Sequence, residues 1–206
     1  MINKLKLFFE NAENGISKID ENLRLMEGMS GIKTRHFYNN LLTLENSRYL
    51  EIGTWKGSSV CSAMCGNSSN VLCIDNWSEF GGPKLEFIEN LNKYKGNNNV
   101  EFIESDCFQV DISTIGKFNI YMYDGNHTYE SHYKSLTYFI DSMEDEFILI
   151  VDDWNWIEVQ RATIDSINDL KLNVLWNKEI KLNNDGLTTH DKDGWWNGIS
   201  VFLIKK

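Results

Sequence analysis

From residue 48 onward the sequence repeats one pattern, a short and almost wholly apolar run followed by a longer polar stretch with helical spacing. The runs are Arg48–Ile52, Val71–Ile74, Val100–Ile103, Phe118–Tyr123, Phe147–Val151, Leu172–Trp176 and Ile199–Ile204. Short runs without strict polar alternation suit a sheet buried on both faces, and helices between them are the crossovers that parallel neighbours require. The pattern predicts an open α/β sheet of seven strands. Ligands of such sheets bind beyond the carboxyl ends of the strands, so the residues just after each run bear most on function.

The first 45 residues read differently. Leu5, Phe8 and Phe9, then Ile16, Ile19, Leu23 and Leu25, then Phe37, Leu41 and Leu42 recur near helical spacing, interrupted at Gly28–Gly31. This predicts a helical extension over residues 1–46, a cap or a dimerisation element, ahead of a main domain over residues 47–206. A length of 206 residues, 42% hydrophobic and 24% charged, suits one globular core. The formal charge of -10 argues against nucleic acid or anionic lipid as a partner. No apolar run approaches the ~20 residues that cross a bilayer, and Met1–Asn14 lacks a signal-peptide core, so the expected location is the cytoplasm. Cys61, Cys65, Cys73 and Cys107 form no C-x-x-C pair and are expected to be reduced and buried.

The first run ends in Glu51-Ile52-Gly53-Thr54-Trp55-Lys56-Gly57-Ser58-Ser59. Gly53 permits a tight turn, and Gly57 falls where backbone can approach a ligand. The loop is neither the G-x-G-x-x-G dinucleotide fingerprint nor a phosphate P-loop. Its acidic strand end would repel a pyrophosphate but could attract an ammonium or sulfonium group. The second run is followed by Asp75, suited to accept both hydroxyls of a ribose, and the third by Ser105-Asp106-Cys107, able to meet an adenine edge. Any one of these acids could instead cap a helix.

With E-x-G-x-x-x-G, a second-strand Asp and a third-strand Asp in order, the sequence resembles the class I S-adenosylmethionine-dependent methyltransferases over about residues 47–206. The resemblance implies a Rossmann-like, doubly wound sheet, mostly parallel, whose last strand, Ile199–Ile204, is antiparallel. It places Glu51 and Gly53, with the loop residues Thr54, Gly57 and Ser58, by the methionine moiety. Asp75 would hold the ribose, and Asp106 with Cys107 would meet the adenine.

The fourth run leads into Asp124-Gly125-Asn126-His127 and the fifth into Asp152-Asp153-Trp154. Like charges converging from neighbouring strand ends raise each other's pKa unless a cation is present, and oxygen ligands suit Mg²⁺ or another divalent ion. Alternatively, Asp124 and Asp152 cap helices while Asp153 faces water. The run Asp-Gly-x-His-x-Tyr-Glu followed by Asp-Asp resembles the macrocin-type sugar O-methyltransferases, which implies Mg²⁺ at Asp124, Asp152 and Asp153 and an acceptor chelating it through vicinal hydroxyls. Many relatives carry Asp where this chain has Asn126, which cannot take a proton. His127 is then either the general base or a residue that holds a helix start.

Trp77, Trp154, Trp156, Trp195 and Trp196 either line a glycan pocket or pack in the core. The polar loop 183–197 could lie over the pocket as a lid. His132 is expected on a solvated helix face, and His36 and His190 without partners. Together these readings predict a Mg²⁺-assisted O-methyltransferase acting on a glycan or small hydroxylated acceptor, catalysed by Asp124 and His127. The rivals are a metal-dependent hydroxylase-like or catalytically silent cofactor-binding protein of the same fold, and an assembly partner that dimerises through its N-terminal helices.

Overall fold

A computed structural model describes residues 1–206. Seven strands form one sheet: β1 Arg48–Ile52, β2 Asn70–Asp75, β3 Asn99–Glu104, β4 Phe118–Tyr123, β5 Met143–Asp152, β6 Asn173–Ile180 and β7 Ile199–Lys205. Their spatial order is β3-β2-β1-β4-β5-β7-β6, with β1 to β5 parallel and β7 antiparallel to both β5 and β6. This is the expected doubly wound sheet with its last strand reversed. The winding changes direction between β1 and β4, so their carboxyl ends part to leave a crevice.

The seven helices are α1 Ile2–Glu13, α2 Glu21–Arg24, α3 Ile32–Leu41, α4 Ser58–Met64, α5 Lys84–Tyr94, α6 Tyr129–Phe139 and α7 Ile157–Asp169. Side chains alternate across each strand, so a sheet buried on both faces needs two apolar layers. Tyr49, Val71, Cys73, Ile120 and Met122 point into one layer, packed with α1, α3, α4 and α5 through residues such as Leu5, Phe37, Val60 and Phe87. Leu50, Ile52, Leu72, Tyr121 and Tyr123 point into the other, under α6 and α7 through Leu136, Phe139, Val159 and Ile167. No helix is long and apolar enough to cross a membrane.

β2, β3 and β7 exceed the apolar runs by one residue at one end or both, and three segments differ by more. β5 starts at Met143, four residues before Phe147, because Met143 pairs with Phe118 and the polar Glu144, Asp145 and Glu146 continue the strand from it. β6 runs on to Ile180 as an edge strand with mostly exposed side chains, where burial imposes no apolar pattern. The N-terminal segment is helical only in pieces: Ile16 and Leu25 are exposed, and the stretch between α1 and α2 is irregular. Of the four thiols, all free, Cys61 and Cys73 are buried as expected, whereas Cys65 and Cys107 are half-buried.

Candidate functional site

A cavity of about 750 Å³ opens over the carboxyl ends of β1, β2, β4 and β5, where strand order reverses. Gly53, at φ +83°, begins the loop that floors it, and a Cβ there would fall 1.9 Å from the carbonyl oxygen of Asp124. Only glycine lets the β1 and β4 ends approach this closely. Gly57 has φ +84° and faces the Phe87 ring, so it shapes the start of α4 from outside the cavity wall.

Asp75 organises the other side of this loop. Its Oδ2 accepts from the amides of Thr54 (2.8 Å) and Trp55 (2.9 Å), and its Oδ1 from the amide of Trp77 (2.7 Å). A carboxylate offers about four lone-pair sites, so acceptor capacity remains toward the cavity it lines. Asp106 and Cys107 line the cavity beyond it, and Asp106 also accepts from the Phe108 amide. Glu51 lies outside the wall. It is fully buried beneath α4, accepting from the hydroxyls of Tyr49 (2.6 Å) and Ser59 (2.5 Å), and it is Ser59 that lines the cavity. Burial, aided by the charges of Asp124 and Asp75, raises the Glu51 carboxyl to about 7 against these two hydrogen bonds.

The acidic end is built from β4 and β5. Ligand atoms of Asp124, His127 and Asp153 all lie within 4.8 Å of one another. His127 Nε2 is 2.8 Å from Asp153 Oδ2 and 3.4 Å from Asp124 Oδ1, and its ring meets Trp156 edge-on at 4.7 Å. Asp152 also lines the cavity, and its buried Oδ1 has no hydrogen-bond partner. Burial raises both Asp124 and Asp152, and the neighbouring carboxylates add to it. His127 moves the opposite way from a merely buried imidazole: burial lowers its pKa, but Asp124 and Asp153 outweigh that and lift it to about 10. Neither Asp124 nor Asp152 caps a helix; Thr128 caps α6, and α7 begins after Trp156 without a side-chain cap. Asp152 lies outside the group of mutually close ligand atoms, but its buried unpartnered oxygen and the converging carboxylates of Asp124 and Asp153 are hard oxygen donors of the kind that fit a divalent cation.

Asp153 adopts φ +56°. Its Oδ1 accepts from Asn197 Nδ2 (2.7 Å), Asn197 Oδ1 accepts from Asn155 Nδ2 (3.1 Å) and from the Thr189 amide (2.8 Å), and Asn155 Oδ1 accepts from the Leu182 amide. Through this fully buried asparagine pair the 183–197 loop is tied to the acidic cluster, and its Thr188, His190 and Trp196 form part of the cavity wall. Of the seven non-glycine residues with positive φ, five line the cavity: Trp55, Trp77, Phe80, Asp153 and Trp196. Backbone strain concentrates where a surrounding structure holds groups for a ligand.

Of the tryptophans singled out in the sequence, Trp77, Trp156 and Trp196 line the cavity, whereas Trp154 and Trp195 are core residues packed on Phe202 and on Phe9 and Phe37. His132 is a correction: it is buried against Tyr123 rather than solvated, and burial lowers its pKa to about 3. His36 has a partner, the Ser17 hydroxyl at 2.7 Å. His190 stacks near Trp196 in the wall. The sequence reading missed Trp55, Phe80, Met29 and Ser30 as wall residues, and the Asn155–Asn197 pair behind it.

A family described as a methyltransferase domain matches residues 50–154, just over half of the chain and all of β1 to β5 apart from Arg48 and Tyr49. No curated protein matches the sequence. Among solved structures, cofactor-bound Rv0187 from MTB superposes with a TM-score of 0.61 at 15% identity, covering 98% of this chain and 89% of that one. The O-methyltransferase from Bacillus cereus in complex with SAH gives 0.60 at 13% identity, covering 98% and 91%. TomG from Streptomyces achromogenes, an O-methyltransferase involved in tomaymycin synthesis and solved with SAM, gives 0.57 at 10%, covering 84% and 80%. At these identities the likeness is one of fold.

Proposed function

We propose, from the premise that the chain belongs to the methyltransferase-domain family and has the class I fold, that it methylates a hydroxyl of a sugar or other small hydroxylated acceptor with S-adenosylmethionine. The observation that carries this reading is the single cavity joining two chemically distinct ends. Asp75, Asp106 and the Gly53 loop line one end, and Asp124, His127, Asp152 and Asp153 the other. The first end offers acceptors for ribose hydroxyls and an adenine edge. The second offers an acidic cluster and an imidazole beside the place where a donor sulfonium would point.

Asp124, Asp152 and Asp153 would hold a divalent cation, which supplies Lewis acidity that lowers the pKa of a coordinated hydroxyl. The protein's own part is alignment. Asp75 fixes the loop and the ribose, strained Trp55 and Trp77 close the wall, and Asn197 fixes the rotamer of Asp153. Transfer from sulfonium to oxygen is an in-line displacement, in which holding the two reactants in register supplies much of the rate. His127 stands beside Asp124 and Asp153, placed to take the acceptor's proton when it is not itself charged.

Charge narrows the acceptor. The cavity is lined by Asp75, Glu79, Asp106, Asp124, Asp152 and Asp153, and by no Lys or Arg. Even with a divalent cation on Asp124, Asp152 and Asp153 the six carboxylates outnumber its charge, so a phosphorylated or carboxylated acceptor would meet a wall of net like charge. In a methyl-transfer screen, neutral or amine-bearing polyols and glycosides should be turned over, and their phosphorylated counterparts should react at least about tenfold more slowly, as roughly 1.4 kcal/mol of repulsion suffices for that factor. Equal rates for both sets would discard this selectivity.

Calorimetry with S-adenosylhomocysteine tests the cofactor. Wild type should bind it, and Asp75→Ala should bind about tenfold more weakly, the scale of a lost charged hydrogen bond. No heat from folded wild type at millimolar ligand would overturn the assignment.

A further inference from the structure

We infer that Arg35, acting through the paired hydroxyls of Ser30 and Ser58, forms the seat for the α-carboxylate of S-adenosylmethionine, so that the N-terminal helices complete the cofactor site. The inference rests on the cofactor reading above and adds a residue and a role to it.

Of the four arginines, Arg24, Arg48 and Arg161 pair with Glu21, Glu144 and Glu158 at the surface. Arg35, on α3, is only 3% exposed and has no carboxylate partner. Its Nη1 donates to the carbonyls of Leu23 and Met26, both at 2.8 Å, and its Nε to Ser30 Oγ at 3.0 Å. Those acceptors satisfy donors but leave the charge uncompensated, and a buried charge is costly without a counter-ion. Burial alone lowers its pKa to about 10, with no acid opposing the shift.

The guanidinium stands one hydroxyl behind the cavity wall. Ser30 Oγ lies 3.2 Å from Ser58 Oγ, and both serines line the cavity. A Cβ on Gly28 would fall 1.9 Å from Ser58 Oγ and 3.0 Å from Arg35 Nη2, so Gly28 packs against both groups and only a residue without a side chain lets them come this close. Ser58 follows the loop whose other residues, Gly53 and Thr54, border Asp75. With ribose at Asp75 and adenine toward Asp106, the amino-acid end of the ligand is directed to these serines.

S-adenosylmethionine carries one anionic group, and the six acidic residues around the cavity offer it nothing. Lys56, in the same loop, is committed to Glu27 and Glu86 and does not line the cavity. Arg35 is therefore the cation left to balance the carboxylate, through a chain in which one of the paired hydroxyls donates to the other and the second donates to the carboxylate.

Calorimetry on the full chain with two ligands differing in one group tests this: S-adenosylhomocysteine and its decarboxylated analogue, which keeps the amine. Arg35→Met should weaken S-adenosylhomocysteine about 10-fold, as the hydroxyl that holds the carboxylate loses the charge behind it, and the analogue by less than about threefold. Arg35→Lys should recover part of the selective loss. Because Arg35 also ties down the carbonyls of Leu23 and Met26, Ser30→Ala, which spares those bonds, serves as the second variant; it should show a smaller loss, again confined to the carboxylate-bearing ligand. Equal losses for both ligands, or none for either, would reduce Arg35 to a tether of the 23–30 segment and overturn the inference while leaving the cofactor reading standing. A wild type that binds neither ligand would overturn both.

Discussion

His127→Ala should lower kcat by about 10²- to 10⁴-fold, the usual contribution of a positioned base, while S-adenosylhomocysteine affinity stays within about twofold of wild type. His127 Nε2 is 2.8 Å from Asp153 and 3.4 Å from Asp124, at the acidic end and away from Asp75. The two carboxylates hold its proton until about pH 10, so without a bound cation it is an imidazolium at neutral pH and cannot act as a base. With a divalent ion on the same carboxylates, His127 loses the charge that retains its proton, and its basic form becomes available at lower pH. The acid limb of the pH–rate profile should therefore lie well below 10 at saturating Mg²⁺ and move upward as Mg²⁺ is withdrawn. A His127→Ala protein with wild-type kcat and a lower Tm would end the base role and leave the imidazolium as a structural counter-ion for Asp124 and Asp153.

Much of this site was legible because parallel sheets concentrate function at strand ends. The runs Arg48–Ile52 and Phe118–Tyr123 coincide with β1 and β4, and reading just past the ends of the second to fifth runs gives Asp75, Asp106, Asp124 and Asp153 as residues facing one crevice. The position of Glu51 needed the two-residue period of the strand. Glu51 shares a face with Tyr49, and that face is covered by α4, so the carboxylate turns inward under the helix instead of into the cavity. His132 was legible too: His132, Ser135, Leu136 and Phe139 recur at helical spacing and form the buried stripe of α6.

Other features had no signal that a single sequence carries. Arg35 meets Ser30 five residues away, and Ser30 meets Ser58 across 28 residues; Asn155 meets Asn197 across 42. These are polar contacts between separate elements, without periodicity, and they exist only once the sheet has brought the loops together. The same holds for the division of the tryptophans, since Trp195 and Trp196 are adjacent in a turn, where Trp195 enters the core and Trp196, at φ +60°, faces the cavity.

Glu51→Gln should stabilise the protein above pH 7 by about 3 kcal/mol, since a carboxyl raised from 4.5 to about 7 forfeits close to that amount when it must ionise in the folded state. Below pH 4.5 the carboxyl is protonated both folded and unfolded, and its contribution is fully present. Between 4.5 and about 7 the folded chain binds more protons than the unfolded chain, so stability falls as pH rises through that window and stays lost beyond it. Glutamine keeps the protonated form's hydrogen bonds at every pH. Its Oε1 can accept from Ser59, and its amide can donate to Tyr49, whose hydroxyl already lies 3.0 Å from Met122 Sδ as an alternative acceptor. Wild type and variant should therefore unfold together near pH 4 and diverge by about 6–12 °C in Tm at pH 8, given about 2–4 °C per kcal/mol for a chain of this size. Because Glu51 does not line the cavity, S-adenosylhomocysteine affinity should be unchanged. Parallel Tm curves from pH 4 to 9 would show that the carboxyl ionises normally, and a tenfold loss of affinity would instead place Glu51 against the methionine moiety.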